Sequence, residues 1–128
     1  KIKADTEIVE VSGALEIPTA IKLMENQFDG FIAIGCVIRG ETTHYDYVCE
    51  ESARALMQLS LEGLALGYGI LTCENYDQAL VRSVSNENNM GKGRVAAKAC
   101  INQIKLRYVS IISILSSGTS SLSQFPLK

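Results

Sequence analysis

Gly30-Phe31-Ile32-Ala33-Ile34-Gly35-Cys36-Val37 is an unbroken apolar run of strand length, and a polar loop, Arg39-Gly40-Glu41-Thr42-Thr43-His44-Tyr45, closely follows it. A strand that is apolar at every position has no wet face. It is therefore expected near the centre of a parallel sheet, with helices over both sides.

The segments on either side support a sheet of that kind. Upstream, Glu7-Ile8-Val9-Glu10-Val11 alternates, is rich in β-branched residues and stops at Ser12-Gly13, so it is expected to be a strand. A helix should follow, with Pro18 in its first turn, Ala20, Ile21, Leu23 and Met24 as its apolar stripe, and an end near Asn26. Downstream, Asp46 is a plausible N-cap for a helix reaching about Leu64, with Val48, Ser52, Ala55, Leu56, Leu59 and Gly63 on one face. Residues 66–72 form another short apolar strand, and Thr72 or Glu74-Asn75 opens a helix carrying Ala79, Leu80 and Arg82. Residues 86–92 form a polar loop, and a last helix is expected from Gly93 or Arg94 through Ile104. Strand alternating with helix at this spacing predicts βαβ units on a parallel sheet. The tail leaves three readings open. Residues 108–115 have strand-like composition and 116–123 are rich in Ser, Thr and Gly, so edge strand, helix extension and disorder all remain.

Composition narrows the function. The 128 residues are 47% apolar and 20% charged, the profile of one globular domain able to bury a core. A net charge of -2 gives no long-range attraction to phosphate backbones or anionic lipid, so neither nucleic acid nor a membrane is expected as a partner. No apolar stretch is long enough to span a bilayer, and no signal-peptide core follows Lys1-Ile2-Lys3-Ala4-Asp5. The four cysteines, Cys36, Cys49, Cys73 and Cys100, make no C-x-x-C pair, and one histidine cannot complete a metal set with them. They read as small buried hydrophobes in a reducing compartment, and the cytoplasm is expected.

In open parallel sheets, ligands bind beyond the carboxyl ends of the strands. Three loops end strands in that way here: residues 12–16, 38–45 and 72–75. Gly40 lets the backbone turn close to a ligand, and Thr42 and Thr43 add hydroxyl and amide donors suited to phosphate oxygens. His44 adds a proton carrier for acid/base work near neutral pH, although a lone loop histidine is more often a solvated or capping residue. Arg39, between a strand and a glycine, reads first as a structural ion-pair partner. Arg82 and Lys92 flank the polar loop and offer either a second anion site or an ordinary solvated face.

Together these residues resemble the lumazine synthase family. Ser12-Gly13-Ala14-Leu15-Glu16-Ile17-Pro18 is similar to the family's G-A-[FL]-E-[IL]-P segment. Gly35-Cys36-Val37-Ile38-Arg39-Gly40-Glu41-Thr42-Thr43-His44-Tyr45-Asp46-Tyr47-Val48 follows its G-x-V-I-[RK]-G-x-T-x-H-[FY]-[DE]-x-[VI] signature. Gly69 to Asn75, Gln78-Ala79, Arg82, Gly91-Lys92-Gly93 and Ala96-Ala97 keep the family order, and the resemblance covers about residues 7–104, leaving 105–128 unassigned.

The resemblance implies one domain over 1–128 with a three-layer αβα sandwich and a flavodoxin-like parallel sheet. The expected activity is that of a transferase in riboflavin biosynthesis. It condenses 5-amino-6-(ribitylamino)uracil with 3,4-dihydroxy-2-butanone 4-phosphate to 6,7-dimethyl-8-ribityllumazine, phosphate and water, with no metal or organic cofactor. By position, His44 would be the proton shuttle. Arg82 and residues Gly40, Glu41 and Thr42 would hold the departing phosphate. Val37 and Ile38 would lie along the pyrimidine, and Ala14, Leu15 and Glu16 would meet the ribityl chain. Tyr68, Arg82 and Lys92 would reach the site from a neighbouring subunit of a homo-oligomer.

Two features depart from the family pattern. The family's first strand and helix, with an aromatic that stacks on the pyrimidine, have no counterpart in this sequence. The loop 83–90 carries Glu87 and Asn89 where a basic residue is common, which favours a pentamer over a shell of pentamers. Two other readings stand beside the enzyme. A non-catalytic lumazine- or flavin-binding or assembly homologue would be coloured but inactive. A flavodoxin-like electron carrier would need a Ser/Thr-rich phosphate loop after the first strand, which the sequence lacks.

Overall fold

The computed structural model describes residues 4–86 and 90–117, with 110–117 as helical backbone only. Among the described residues two parallel strands form the sheet, β1 (Phe31–Ile38) and β2 (Leu66–Cys73), in register from Phe31 opposite Leu66 to Ile38 opposite Cys73. Parallel neighbours cannot be joined by a hairpin. The crossover is α2 (His44–Leu61), whose buried Val48, Ser52, Leu56 and Leu59 recur every three or four residues and so share one face. Gly63, at φ 103°, supplies the left-handed residue just past the helix end that a side chain would resist.

The short α1 (Ile17–Leu23) begins with Pro18 in its first turn and buries Ile17, Pro18 and Ile21. With Leu56 and Leu59 of α2 it packs on Ala33, Leu66 and Ile70 of the sheet, and this is the core. The opposite face of β2 carries α4 (Lys92–Ser117). The approach is close because Gly67 has no side chain: a Cβ there would run into the carbonyl oxygen of Ala96 and lie 2.6 Å from its carbonyl carbon. Gln103 of α4 accepts from the Leu66 N–H at 2.9 Å and donates to the Leu66 carbonyl at 2.8 Å, as a neighbouring strand would. Arg107 donates to the carbonyl oxygens of Gly63 and Asp29, tying α4 to the loops at the amino ends of the strands. The remaining helix is α3 (Tyr76–Ser83), whose N-cap Asn75 accepts from the Gln78 N–H at 2.9 Å. Helix, sheet and helix make the three layers of the flavodoxin-like α/β class.

Several expectations need correction. Residues 7–11 are in no strand, and Ile8 is 88% exposed. A strand exists only with a hydrogen-bonding neighbour, and no described backbone ladders with this segment. For the same reason β1 is an edge strand rather than the sheet centre: Ala33 is buried, whereas Ile32, Ile34, Cys36 and Ile38 are exposed on the other face. Cys36 is thus exposed and Cys49 only half-buried, and just Cys73 and Cys100 are buried; all four are free thiols. The cap of α2 is Thr43, not Asp46, and the helix stops at Leu61. α1 likewise ends at Leu23, three residues earlier than expected. The tail resolves as a helix extension through Ser117. Ile111, Ile112 and Ile114 favour strand weakly, but adding a residue to an existing helix costs far less than starting a new element. The expectations on Glu87, Asn89 and 118–123 lie outside the described residues.

Candidate active site

Three loops meet at the carboxyl ends of the strands. In the first, the Gly13 carbonyl accepts from the Glu16 N–H at 3.2 Å, winding Ala14, Leu15 and Glu16 into a single tight turn before α1. The second runs from Arg39 to the start of α2. Its Thr42 hydroxyl accepts from the His44 N–H at 3.3 Å, and the Thr43 carbonyl accepts from the Asp46 N–H at 3.0 Å. These bonds satisfy two of the amides that a helix start leaves without partners. The third, Glu74-Asn75, joins β2 to α3, and its Glu74 N–H donates to the Gln78 side chain at 3.0 Å.

A groove of about 1220 Å³ opens beside β1, and Ala14, Leu15, Glu16, Val37, His44 and Gly93 are among its walls. Five of the expected site residues, Ala14, Leu15, Glu16, Val37 and His44, therefore line one space. His44 is exposed and is the first residue of α2, so the helix fixes its backbone where the strand-end loops converge. Gly40 stands in open space: nothing lies within 4 Å of where its Cβ would be, and its φ is not positive. Its own fold does not require glycine. Ile38, Gly40, Glu41 and Thr42 sit at the mouth of the loop without lining the groove.

Tyr68, Arg82 and Lys92 do not line the groove in this chain. Tyr68 lies on the α2 side of β2, near Cys49 and Ser52, and burial pushes its phenol pKa up, with the Cys49 thiol adding to the rise. Arg82 is exposed at the end of α3 and donates to the Gln78 carbonyl at 3.0 Å. Lys92 is exposed at the start of α4, one residue before Gly93. Among the described residues no three His, Cys, Asp or Glu side chains converge as a metal set. A second hollow, of about 230 Å³, lies beside Arg107 and Asp29 at the other end of the strands, away from every loop just described.

Arg39 carries the site's strongest polar network. Its Nε donates to Glu74 at 2.7 Å, its Nη2 and Nη1 donate to the two oxygens of Asp46 at 2.9 and 3.3 Å, and its guanidinium lies 4.2 Å from the centre of the Tyr45 ring. The ion-pair reading of Arg39 holds. Its partners went unrecognised in the sequence: Glu74 lies 35 residues from Arg39, and Asp46, seven residues away, reads there as a helix N-cap.

A parallel α/β sheet with loops converging at its strand ends, a histidine at a helix start and a groove alongside defines a flavodoxin-like α/β protein. Comparison with known proteins is specific. The family model for 6,7-dimethyl-8-ribityllumazine synthase matches residues 1–108. The 6,7-dimethyl-8-ribityllumazine synthase of Zymomonas mobilis is 50% identical over 105 residues, 80% of this chain and 74% of that protein. That of Bartonella henselae is 46% identical over 117 residues, 88% of this chain and 76% of the relative. The 6,7-dimethyl-8-ribityllumazine synthase 1 of Rhizobium meliloti is 50% identical over 112 residues, 81% and 72% of the two chains. The chain belongs to the 6,7-dimethyl-8-ribityllumazine synthase family.

Proposed function

We propose that the chain condenses 5-amino-6-(ribitylamino)uracil with 3,4-dihydroxy-2-butanone 4-phosphate to 6,7-dimethyl-8-ribityllumazine, the penultimate step of riboflavin biosynthesis. The observation that carries this reading is the placement of His44 on the same groove as Val37 and the Ala14-Leu15-Glu16 turn, within a chain of this family. The amine of the pyrimidine attacks the ketone and water leaves, giving an imine. Phosphate is then lost, and the ribitylamino nitrogen closes the ring with loss of a second water. Each stage moves a proton, and His44 is the group on the groove suited to carry it.

Val37 and Ile38 would lie along the pyrimidine, with Val37 on the groove side, and the ribityl hydroxyls would meet Ala14, Leu15 and the Glu16 carboxylate. Phosphate would sit at the 40–42 loop before α2, where unpaired amides and the helix dipole favour an anion. Holding two reactive substrates together supplies much of the rate, since effective molarities of ~10⁵ M are available from orientation alone. No metal or organic cofactor enters this chemistry.

Tyr68, Arg82 and Lys92 are kept from the groove of their own chain, which supports a site completed by a neighbouring subunit. Exposed Tyr47, Met57 and Leu61 on α2 and Tyr76, Leu80, Val81 and Val84 in or just after α3 supply apolar surface for that contact. A homo-oligomer, read as a pentamer, follows. No helix among the described residues is long and apolar enough to cross a membrane.

Initial rates of lumazine formation from the two substrates test the activity. His44→Ala should slow turnover by about 10²-fold or less. Full activity in that variant would remove His44 from the mechanism. Sedimentation of the intact protein tests the oligomer: a monomer at assay concentration would overturn it.

A further inference from the structure

We propose that Arg39 is a positioning residue for this reaction, clamping the start of α2 to the β2–α3 loop so that residues 40–43 hold one geometry beside the groove and His44 keeps its place on it. The inference rests on the activity proposed above and adds to it a residue that touches neither substrate.

The backbone of Arg39 is already fixed, because its N–H donates to the Cys73 carbonyl at 2.9 Å and continues the ladder between β1 and β2. From that fixed point the side chain reaches both ways. One edge of the guanidinium grips both oxygens of Asp46, in the first turn of α2, and Nε holds Glu74 beyond β2. Tyr45, the neighbour of His44, lies under the guanidinium plane. Tying residue 39 to residue 46 closes the loop 40–45 into a ring.

That ring has little else to hold it. Gly40 meets nothing within 4 Å of a would-be Cβ, and Glu41, Thr42, Thr43 and His44 are all exposed. Within it the polar bonds that fix the backbone are the Thr42 hydroxyl with the His44 N–H and the Thr43 carbonyl with the Asp46 N–H. A loop with so few contacts samples many conformations unless its ends are pinned. Catalysis by orientation is sensitive to displacements of about 1 Å, so the clamp matters more to turnover than to folding.

Exposed ion pairs contribute little to global stability, and Arg39, Asp46 and Glu74 are all more than a third exposed. Lysine cannot replace this clamp fully. It keeps the charge but lacks the planar fork that grips a carboxylate through two nitrogens while offering a third N–H to another.

The test is steady-state kinetics with both substrates on wild type, R39M, R39K, D46N and the R39M/D46N double variant, beside thermal melting and amide hydrogen exchange. R39M should lower kcat about tenfold while KM for the pyrimidine stays within about twofold. Its melting midpoint should stay within about 2 °C of wild type. R39K should recover part of the lost kcat, and the double variant should be no slower than R39M, because the two residues act as one clamp. Wild-type kcat in R39M, or a double variant whose losses multiply, would overturn the proposal. A wild-type chain that fails to accelerate the reaction overturns the proposed function instead. Arg39 is then decided by exchange alone: amides of residues 40–46 exchange faster in R39M if the clamp exists, and at the wild-type rate if it does not.

Discussion

Replacing Gly67 by alanine should destabilise the fold through one contact. The new Cβ would collide with the Ala96 carbonyl oxygen and lie 2.6 Å from its carbonyl carbon, whereas comfortable carbon–carbon separations are about 3.5–4.0 Å. α4 would have to withdraw by about 1 Å, because the obstacle is helix backbone rather than the end of a flexible side chain. Overpacking of this kind costs about 1–3 kcal/mol, and a rigid obstacle puts Gly67→Ala at the upper end. Alanine also restricts the unfolded chain, which returns about 0.4–1 kcal/mol. The net loss is about 2 kcal/mol, or roughly 6–10 °C in melting midpoint for a domain of this size. Thermal melting monitored by circular dichroism measures it. A companion variant sharpens the test: Ala96→Gly added to Gly67→Ala should not restore stability, since it removes a methyl and leaves the carbonyl in place. A midpoint within 2 °C of wild type, or full rescue by Ala96→Gly, would refute the close packing of α4 on β2.

Gly40→Ala makes the opposite prediction. With open space around it and no positive φ, stability should change by less than about 0.5 kcal/mol, while KM for the phosphate substrate rises because the methyl enters the space assigned to the ligand. Unchanged KM would move the phosphate elsewhere. Gln103→Leu leaves the part-buried N–H and C=O of Leu66 without the amide that pairs them, and should cost about 1–3 kcal/mol in urea unfolding. Cys36 is exposed, yet partial burial, with Cys73 nearby, pushes its thiol pKa up, so less thiolate is present at a given pH. Its alkylation near pH ~7.5 should therefore lag free cysteine and catch up as the pH rises.

The parts of this fold that could be read from the sequence are those governed by neighbours along the chain. The apolar runs became β1 and β2, Pro18 and Asn75 marked helix starts, and the loops after β1 and β2 fell where the alternation of elements put them, whereas the loop 12–16 follows no strand. What could not be read depends on partners distant in sequence. The 7–11 segment has strand composition, but a strand needs a neighbour's backbone, and none of the described residues provides one. β1 is apolar on both faces, yet whether Ile34 is covered, and it is 58% exposed, depends on what packs there rather than on isoleucine. The length of α4 was hidden because β-branched residues near its end argue for strand until the preceding helix is known.

The site divides in the same way. Of the residues expected from the resemblance, His44, Val37 and Ala14 to Glu16 share one groove, while Ile38, Gly40, Glu41 and Thr42 of the same contiguous motif do not line it. Arg39 was legible as an ion-pair former, but the roles of Asp46 and Glu74 were not. Asp46 had the ordinary signature of an N-cap, and Thr43 took that position instead.

The most direct test of the central claim is a single reaction in which lumazine and inorganic phosphate are followed together, with wild type, His44→Ala and no protein. The wild-type rate should stand well above the uncatalysed one and be proportional to protein, with one phosphate released per lumazine formed. His44→Ala should be slower by up to about 10²-fold but still above background. A wild-type rate equal to the protein-free control would contradict it.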